Sequence, residues 1–180
     1  MNVGKRFEAD IKASIPEGVL FYRFRDSPNS FGGYDDVTRF TPSNVCDCFM
    51  FKVPYFYLLE LKTTKGKSYP LNKSAYKQLE RFRDLGDYEN VIKAFVINYR
   101  DYEKTYLVPT ERLENFLRAT GKKSIRMDEC HEIGMQIGQK KLRVNYRYDI
   151  DDIFKLEGKE NEVLKLFDTC YGGIGNCVGD

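Results

Sequence analysis

The chain has 180 residues, of which 42% are hydrophobic, 31% charged and 14% aromatic, and its net charge at neutral pH is +2. This length and balance predict one folded domain with a real core and exclude a disordered chain. No apolar run approaches the roughly 20 residues that span a bilayer. The amino terminus, MNVGKRFEADIK, has no apolar signal segment, so we expect a cytoplasmic protein.

The five cysteines do not follow a metal or disulfide framework. An odd number of cysteines without an export signal indicates reduced thiols. The sequence CDC at residues 46–48 and the pair Cys170 and Cys177 lack the spacing of a structural zinc site, and the only histidine is His131. The sequence therefore disfavours zinc.

Charge is distributed unevenly along the chain. Residues 61–83 carry seven basic side chains and one acidic, a net charge of +6, and residues 121–147 have a net charge of +4. Residues 149–168 have a net charge of −4. Two basic segments indicate a polyanionic partner. The alternative is that they are ordinary solvated faces.

The first predicted elements are a helix and a strand. Asn2 can cap a helix that runs to about residue 14, with an apolar stripe at Val3, Phe7, Ile11 and Ile15. Residues 19–25 are typical of a strand, and the polar, glycine-rich residues 26–36 of a loop. Residues 45–51 and 55–63 are aromatic and β-branched runs on either side of Val53 and Pro54, which predicts a hairpin.

The second half of the chain is also predicted to consist of alternating helices and strands. We expect a helix at residues 74–86, with Gly86 as its C-cap signal and with Ala75, Tyr76, Leu79 and Phe82 facing inward. Two strands follow at residues 91–100 and 104–109, and then a helix that Thr110 caps. The order α-β-β-β-α-β-β-α predicts an α/β (α+β) fold with a mixed sheet flanked by helices. The glycine-rich end of the chain is expected to fray.

Three charges interrupt the predicted hairpin. Side chains alternate across a strand, so Glu60 and Lys62 share one face, and Asp47 on the partner strand faces the same way. If Val53 and Pro54 form the tip, Asp47 lies opposite Glu60. If Pro54 takes the second position of a four-residue turn, Asp47 lies opposite Lys62. Both registers collect the three charges on one face.

Two facing carboxylates need a cation. Their Cβ atoms would be about 4.5 to 5.5 Å apart and the charges would repel each other. Oxygen ligands without histidine or cysteine on the same face favour Mg²⁺ or Mn²⁺. The alternative is a structural ion pair between Asp47 and Lys62. Glu8 and Gln78 lie at the edges of the apolar stripes of their helices, where they can reach the sheet end or simply solvate a helix flank.

Five segments in this order resemble the PD-(D/E)xK nuclease superfamily, and most closely the RecU group of Holliday junction resolvases. They are Gly4 to Glu8, Pro42 to Asp47, Glu60 to Lys62, Ser68 to Leu71, and the helix that carries Gln78. The similarity covers roughly residues 2–153. We therefore expect a nuclease domain at 1–153 and a carboxyl-terminal tail at 154–180, first helical and then flexible.

The resemblance implies a restriction-endonuclease-like fold and metal-assisted phosphodiester hydrolysis in DNA recombination and repair. Asp47, Glu60 and the Leu61 carbonyl would hold Mg²⁺, with Mn²⁺ as a substitute, and the metal-bound water would attack phosphorus. Lys62 would orient that water, Glu8 would bind a second metal or its water, and Gln78 would position the nucleophile or a phosphate. The expected phosphate-binding cations are Lys5, Arg6, Lys65, Lys67, Lys73, Lys77 and Arg81.

The substrate is left open among three possibilities. A resolvase of four-way junctions is the first, and it would act as a homodimer. Residues 91–99 or 142–148 are candidate contact surfaces, and the alternative is that both segments are interior. The family's stalk has no obvious equivalent in residues 26–42, so a nuclease acting on flaps, ends or foreign duplex DNA is the second. A non-catalytic DNA-binding module is the third. A bacterial cell or a phage-infected host would house any of them.

Overall fold

The structure is a computed structural model that describes residues 2–24 and 44–158, with side chains to residue 155. The predicted loop at 26–36, the segment 26–42 that was compared with the family's stalk, and most of the tail lie outside these ranges. The helices are α1 (Val3–Lys12), α2 (Lys73–Asp84), α3 (Thr110–Thr120) and α4 (Met127–Ile133), with 3₁₀ helices at Arg100–Tyr102 and Ile150–Gly158. The strands are β1 (Leu20–Arg23), β2 (Cys48–Lys52), β3 (Tyr55–Thr64), β4 (Ser68–Pro70), β5 (Val91–Tyr99), β6 (Lys104–Pro109), β7 (Ser124–Arg126), β8 (Met135–Ile137), β9 (Gln139–Lys141) and β10 (Tyr146–Tyr148).

The main sheet has six strands in the order β1-β2-β3-β5-β6-β8. Strands β3 and β5 are parallel, and the other neighbouring pairs are antiparallel. Both central strands are rich in apolar residues because each of their faces is covered. The predicted mixed sheet flanked by helices is confirmed, as is the central position of the strand that carries Glu60 and Lys62.

Apolar side chains of the sheet pack in two layers. On one face Leu58, Phe95 and Ile97 contact the buried side of α2, including Leu79 and Phe82. On the other face the sheet residues contact α1 through Phe7 and Ile11. Alternation along β3 therefore sends Leu58 and Glu60 toward α2, while Leu59 and Leu61 face α1.

Helix ends follow the sequence signals closely. Asn2 accepts a hydrogen bond from the Gly4 N–H at 3.1 Å, and the Asn72 side chain caps α2 through the Ala75 N–H at 3.0 Å. After α2 the chain turns at Gly86, whose φ of 75° lies in the left-handed region that glycine tolerates. These caps fix where α1 starts and where α2 starts and stops.

Two predicted details of the helices are wrong. Tyr76 is 38% exposed, because the buried face of α2 repeats at three and four residues through Ala75, Gln78 and Leu79 and leaves Tyr76 beside it. Thr110 is the first helical residue of α3 rather than its cap. Its hydroxyl donates to the Lys93 carbonyl at 3.2 Å and so ties α3 to β5.

The predicted contact surface at residues 91–99 is also wrong. Strand β5 lies between β3 and β6, and its residues 94–99 are buried. Both edges of its backbone are already paired within the sheet. The strand is thus interior and cannot face a second subunit.

Sequence reasoning missed the short elements. Strand β4 pairs with β7, and β9 pairs with β10 in a separate hairpin. Each of these strands has three residues, too few to show a periodic pattern.

No helix in the described ranges is long and apolar enough to cross a membrane.

Candidate active site

Strands β2 and β3 set the register of the acidic residues. Lys52 pairs with Tyr55 and Cys48 with Leu59, so Val53 and Pro54 form the tip of the turn. The alternative register, with Asp47 opposite Lys62, is therefore wrong. Asp47 immediately precedes β2, where its backbone N–H donates to the Leu59 carbonyl at 3.2 Å and its Oδ2 accepts from the Leu61 N–H at 2.8 Å.

Glu60 and Lys62 form an ion pair on the α2 side of β3. The Lys62 Nζ donates to the Glu60 Oε1 at 2.6 Å. The Glu60 side chain is 7% exposed and that of Lys62 is 25% exposed, so solvent screens this pair weakly. The ammonium is consequently held in one position beside the carboxylates.

Electrostatics place Asp47 close to this pair. Burial and the negative charge of Asp47 both raise the pKa of Glu60, Lys62 and Arg81 lower it, and the net result is a pKa of about 7. Burial works to lower the pKa of Lys62, but Glu60, its hydrogen bond and Asp47 outweigh burial and leave that pKa raised. Two carboxylates and one ammonium thus lie within electrostatic reach of one another at a partly buried place.

The oxygen chemistry of this cluster fits a hard divalent cation. Asp47 and Glu60 supply carboxylate oxygens, and Leu61, which follows Glu60 on β3, bonds to Asp47 through its backbone N–H. Such oxygens suit Mg²⁺ or Mn²⁺. Within residues 2–24 and 44–158 there is no group of three or more His, Cys, Asp or Glu side chains poised around an ion.

Glu8 is held by a different partner. Its Oε2 accepts from the Arg23 guanidinium at 2.5 Å, with the two side chains 19% and 30% exposed. Arg23 lies on β1 directly opposite Cys48, whose side chain faces α1. Among the described residues Glu8 thus pairs with Arg23 on the α1 side of the sheet, while Asp47, Glu60 and Lys62 come together with the Leu61 N–H.

Gln78 anchors the segment that leads to Asp47. It is 6% exposed, and its Nε2 donates to the Val45 carbonyl. Its Oε1 accepts from the Arg81 Nη1 at 3.1 Å, and Arg81 also donates to the Asn44 carbonyl at 3.3 Å. Gln78 and Arg81 thus both hold the backbone just before Asp47. The sequence had not suggested this role for either residue.

The other predicted DNA-binding cations lie on the surface. Exposed side chains are found at Lys5, Lys65, Lys67, Lys73 and Lys77, while Arg6 and Arg81 are half-buried. Lys73 and Lys77 lie away from the buried face of α2, and Lys65 and Lys67 follow the end of β3. The cations nearest in sequence to Lys62 are therefore available to phosphates.

Tyr69 is a site residue that sequence reasoning missed. It is buried on β4, and burial raises the pKa of its phenol, while Lys62 lowers this pKa and Glu60 and Asp47 raise it. These influences put the phenol within electrostatic reach of all three charged groups. The sequence pattern that could have identified Tyr69 is the Ser68 to Leu71 segment, in which it is the aromatic residue. The sequence analysis gave Tyr69 no role.

Buried thiols flank the acidic residue. Burial raises the pKa of Cys46 to about 12 and raises that of Cys48 as well, so both are neutral thiols at ordinary pH. The expectation of reduced cysteines holds for Cys46, Cys48 and Cys130, which are free and buried. Cys46 and Cys48 pack around Asp47 without adding charge.

Comparison with known proteins identifies a protein family and two similar proteins. The profile of the RecU family, described as Recombination protein U, matches residues 49–152, which include Glu60, Lys62 and Gln78. The SPbeta prophage-derived uncharacterized protein YotM of Bacillus subtilis (strain 168) is 29% identical over 189 residues, covering 93% of this chain and 95% of that protein. The solved structure of Hjc, a Holliday junction resolvase from the archaeal hyperthermophile Archaeoglobus fulgidus, covers 74% of this chain and 95% of its own, with 18% identity and a TM-score of 0.49.

The family profile spans more than half of the chain, and the matched range holds the strand and the helix that carry most of the predicted site. The resemblance seen in the sequence is thereby confirmed, and with it an enzyme that hydrolyses DNA phosphodiester bonds. The chain belongs to the Recombination protein U (RecU) family of Holliday junction resolvases.

Proposed function

We propose that this resolvase cuts four-way DNA junctions with Mg²⁺ as its cofactor, for which Mn²⁺ can substitute. The observation that carries the proposal is the cluster of Asp47, Glu60 and Lys62, with Lys62 held 2.6 Å from Glu60 and Asp47 raising the pKa of Glu60. A cluster of this kind costs stability in an unliganded protein because the carboxylates repel each other. Its presence is understandable if it serves chemistry.

In this proposal each residue has a separate role. Asp47, Glu60 and the Leu61 carbonyl hold the metal, which when bound supplies a Lewis acid and a water molecule of lowered pKa. Lys62 directs its ammonium toward the scissile phosphate, where it stabilises the negative charge that develops in the transition state. Glu60 keeps Lys62 in place, and Asp47 is fixed by the Leu61 N–H.

Glu8 and Gln78 have supporting roles. A Glu8 ligand to a second metal, or to a metal-bound water, would have to leave the Arg23 guanidinium, so we propose that Glu8 acts only with DNA bound. Gln78 supports the site indirectly, because its hydrogen bond to the Val45 carbonyl holds the backbone that precedes Asp47. Its predicted contact with a phosphate would require it to give up this hydrogen bond.

DNA binding is proposed to rest on backbone phosphates. The surface cations Lys5, Lys65, Lys67, Lys73 and Lys77 would supply it, assisted by Arg6 and Arg81, so affinity would fall steeply with salt. A DNA substrate places the protein in the cytoplasm of a bacterium or of a phage-infected host. A homodimer would supply the two active sites that symmetric nicking requires.

The domain limits also remain a proposal. We place the nuclease domain at residues 1–153 and the tail at 154–180. The Phe154 ring lies 5.3 Å from the Tyr57 ring, which shows that the first residue of the proposed tail packs on the sheet. A shortened chain intended to keep the fold should therefore end no earlier than residue 158.

One assay separates this proposal from its alternatives. Labelled four-way, flap and linear DNA of matched sequence are incubated side by side with the protein, with and without Mg²⁺. We expect paired nicks in the four-way junction and none without the metal. Preferred cleavage of flaps or ends would favour a processing nuclease, and binding without any cleavage would favour a non-catalytic module.

A further inference from the structure

The hairpin formed by β9 and β10, residues 139–148, has a strongly basic surface, and we refer to it as the basic hairpin. Its segment contains no acidic residue. Residues 140–145 and Arg147 are all exposed. The exposed cations are Lys140, Lys141, Arg143 and Arg147. The basic hairpin therefore concentrates four exposed positive charges in one short segment.

Two of these cations directly face each other. Lys140 and Arg147 are paired across the two strands. Like charges in directly opposed positions of an antiparallel pair destabilise it. Lys141 is neutralised by Glu103, at 2.6 Å, but within the described ranges neither Lys140 nor Arg147 forms an ion pair. An anion placed between them would relieve the repulsion.

The tip of the hairpin is apolar and exposed. Leu142 is 40% and Val144 is 66% exposed, in a turn closed by the Leu142 N–H, which donates to the Asn145 carbonyl at 2.8 Å. The base of the hairpin is anchored, since the buried Tyr148 ring lies 5.4 Å from Phe7 on α1. Apolar side chains surrounded by cations are suited to wedging between base steps of DNA.

The basic hairpin projects at the end of the sheet where β5 gives way to β6. The Thr105 hydroxyl donates to Gln139 at 2.5 Å, and Lys141 reaches Glu103 in the connection between the two strands. Because β3 runs parallel to β5, the same end of the sheet receives Lys62 and the loop that follows it. Lys67 in that loop lies 5.8 Å from the Tyr102 ring of the same connection.

We propose that the basic hairpin binds branched DNA at the end of the sheet that also carries the proposed active site. Lys140, Arg143 and Arg147 contact backbone phosphates, and Leu142 and Val144 pack against bases that are unstacked at the branch point. The proposal rests on the proposed function and deepens it, since it assigns recognition of the branch to an element other than the catalytic strand.

The phosphate contacts are tested by binding measurements over a range of salt concentrations. Lys140→Gln combined with Arg147→Gln is compared with Lys12→Gln, an exposed lysine outside both basic segments, all in an Asp47→Asn background. We expect the slope of log affinity against log salt to fall by about two for the hairpin variant, because about one counterion is released per phosphate contact. An unchanged slope would overturn this part of the proposal.

The apolar tip is tested by comparing two DNA shapes. Leu142→Ser combined with Val144→Ser should lower affinity for a four-way junction at least about fivefold and leave affinity for a linear duplex of the same sequence nearly unchanged, since a wedge helps only where bases unstack. Both side chains are exposed, so the melting temperature should be retained. Equal affinity ratios in the variant and in the parent would refute the wedge.

Two further outcomes are informative. If the serine substitutions convert a dimer into a monomer in sedimentation, the tip is a subunit contact and the DNA proposal is wrong. If wild-type protein cleaves junctions while all hairpin variants bind junction and duplex DNA as their Asp47→Asn parent does, only the hairpin proposal fails. If wild-type protein neither binds nor cleaves branched DNA, the proposed function fails and the hairpin proposal fails with it.

Discussion

At the scale of single residues, the ion pair between Glu60 and Lys62 is the central contact of the proposed active site. The residues are two apart on β3, so alternation puts both on one face, and Lys62 reaches Glu60 at 2.6 Å. This pair is buried enough to be rigid yet leaves 25% of Lys62 exposed toward solvent. A partly exposed ammonium that is held in one position beside two carboxylates is suited to bind a phosphate.

Substitution of Lys62 tests that role. Lys62→Ala should lower the cleavage rate at least about a hundredfold, because it removes a fixed cation from the transition state. Binding of the junction should change little, since the exposed cations remain. The matched control is Lys65→Ala, which removes an exposed lysine of the following loop and should reduce affinity but not the rate at saturating DNA.

Gln78 carries a second prediction. Gln78→Leu leaves the Val45 carbonyl without its donor, so it should lower the free energy of unfolding by about 1 to 3 kcal/mol and also slow cleavage by loosening the segment before Asp47. Chemical denaturation and a rate at saturating DNA measure the two effects. A variant that loses DNA affinity but keeps its stability would instead indicate direct phosphate contact.

Much of the site could be predicted at this scale. Alternation along β3 was enough to put Asp47, Glu60 and Lys62 on one face. The sequence left two registers open, and only the observed pairing around Val53 and Pro54 decides between them. The pairing of Glu8 with Arg23 could not be predicted, because it depends on how α1 lies across β1. The burial of Gln78 was missed because polar residues are expected at the edge of a helix stripe.

At the scale of secondary structure, the long elements were predictable and the short ones were not. Helix α1, the β2–β3 hairpin and helix α2 show clear periodicity and caps in the sequence. Strand β5 was correctly identified, but a largely apolar strand does not reveal whether its neighbours are other strands or a second subunit. The basic hairpin is defined by contacts with Glu103 and Phe7, which are distant in sequence.

The turn that leads into the basic hairpin gives a prediction with pH. Asp152 accepts from the Gly138 N–H at 2.8 Å and from Lys155 at 2.6 Å. Burial works to raise the pKa of Asp152, but these two hydrogen bonds outweigh burial and leave the pKa below its ordinary value of 3.8. A depressed carboxyl pKa stabilises the folded state above the unfolded pKa, and this stability is lost as the pH falls through the folded pKa.

Asp152→Asn should therefore lower the melting temperature at pH 7 and have a smaller effect below about pH 4. Thermal melts of the two proteins across this range provide the measurement. Asp151→Asn serves as the control, because Asp151 contacts Lys52 on the surface rather than the Gly138 turn. A difference in melting temperature that stays constant with pH would contradict a role for the Asp152 charge.

At the scale of the whole molecule, the two-fold symmetry of a four-way junction calls for two active sites. The interior position of β5 removes one candidate interface. We still expect a stable dimer of about twice the 21.1 kDa chain mass, and dimers mixed from wild-type and Asp47→Asn chains should nick one strand only. A protein that sediments as a monomer at micromolar concentration, both free and on DNA, would contradict paired nicking and favour flap or end processing.

The central claim is that Asp47, Glu60 and Lys62 form a metal-dependent centre for junction cleavage. Its most direct test is the cleavage of one labelled four-way junction by wild-type protein and by Asp47→Asn, in Mg²⁺ and in Ca²⁺. We expect nicking only by the wild-type protein in Mg²⁺, with binding but no turnover in Ca²⁺, because Ca²⁺ is larger and less strict in its geometry. Both proteins should bind the junction with similar affinity. Wild-type cleavage rates in the Asp47→Asn variant would contradict the assignment.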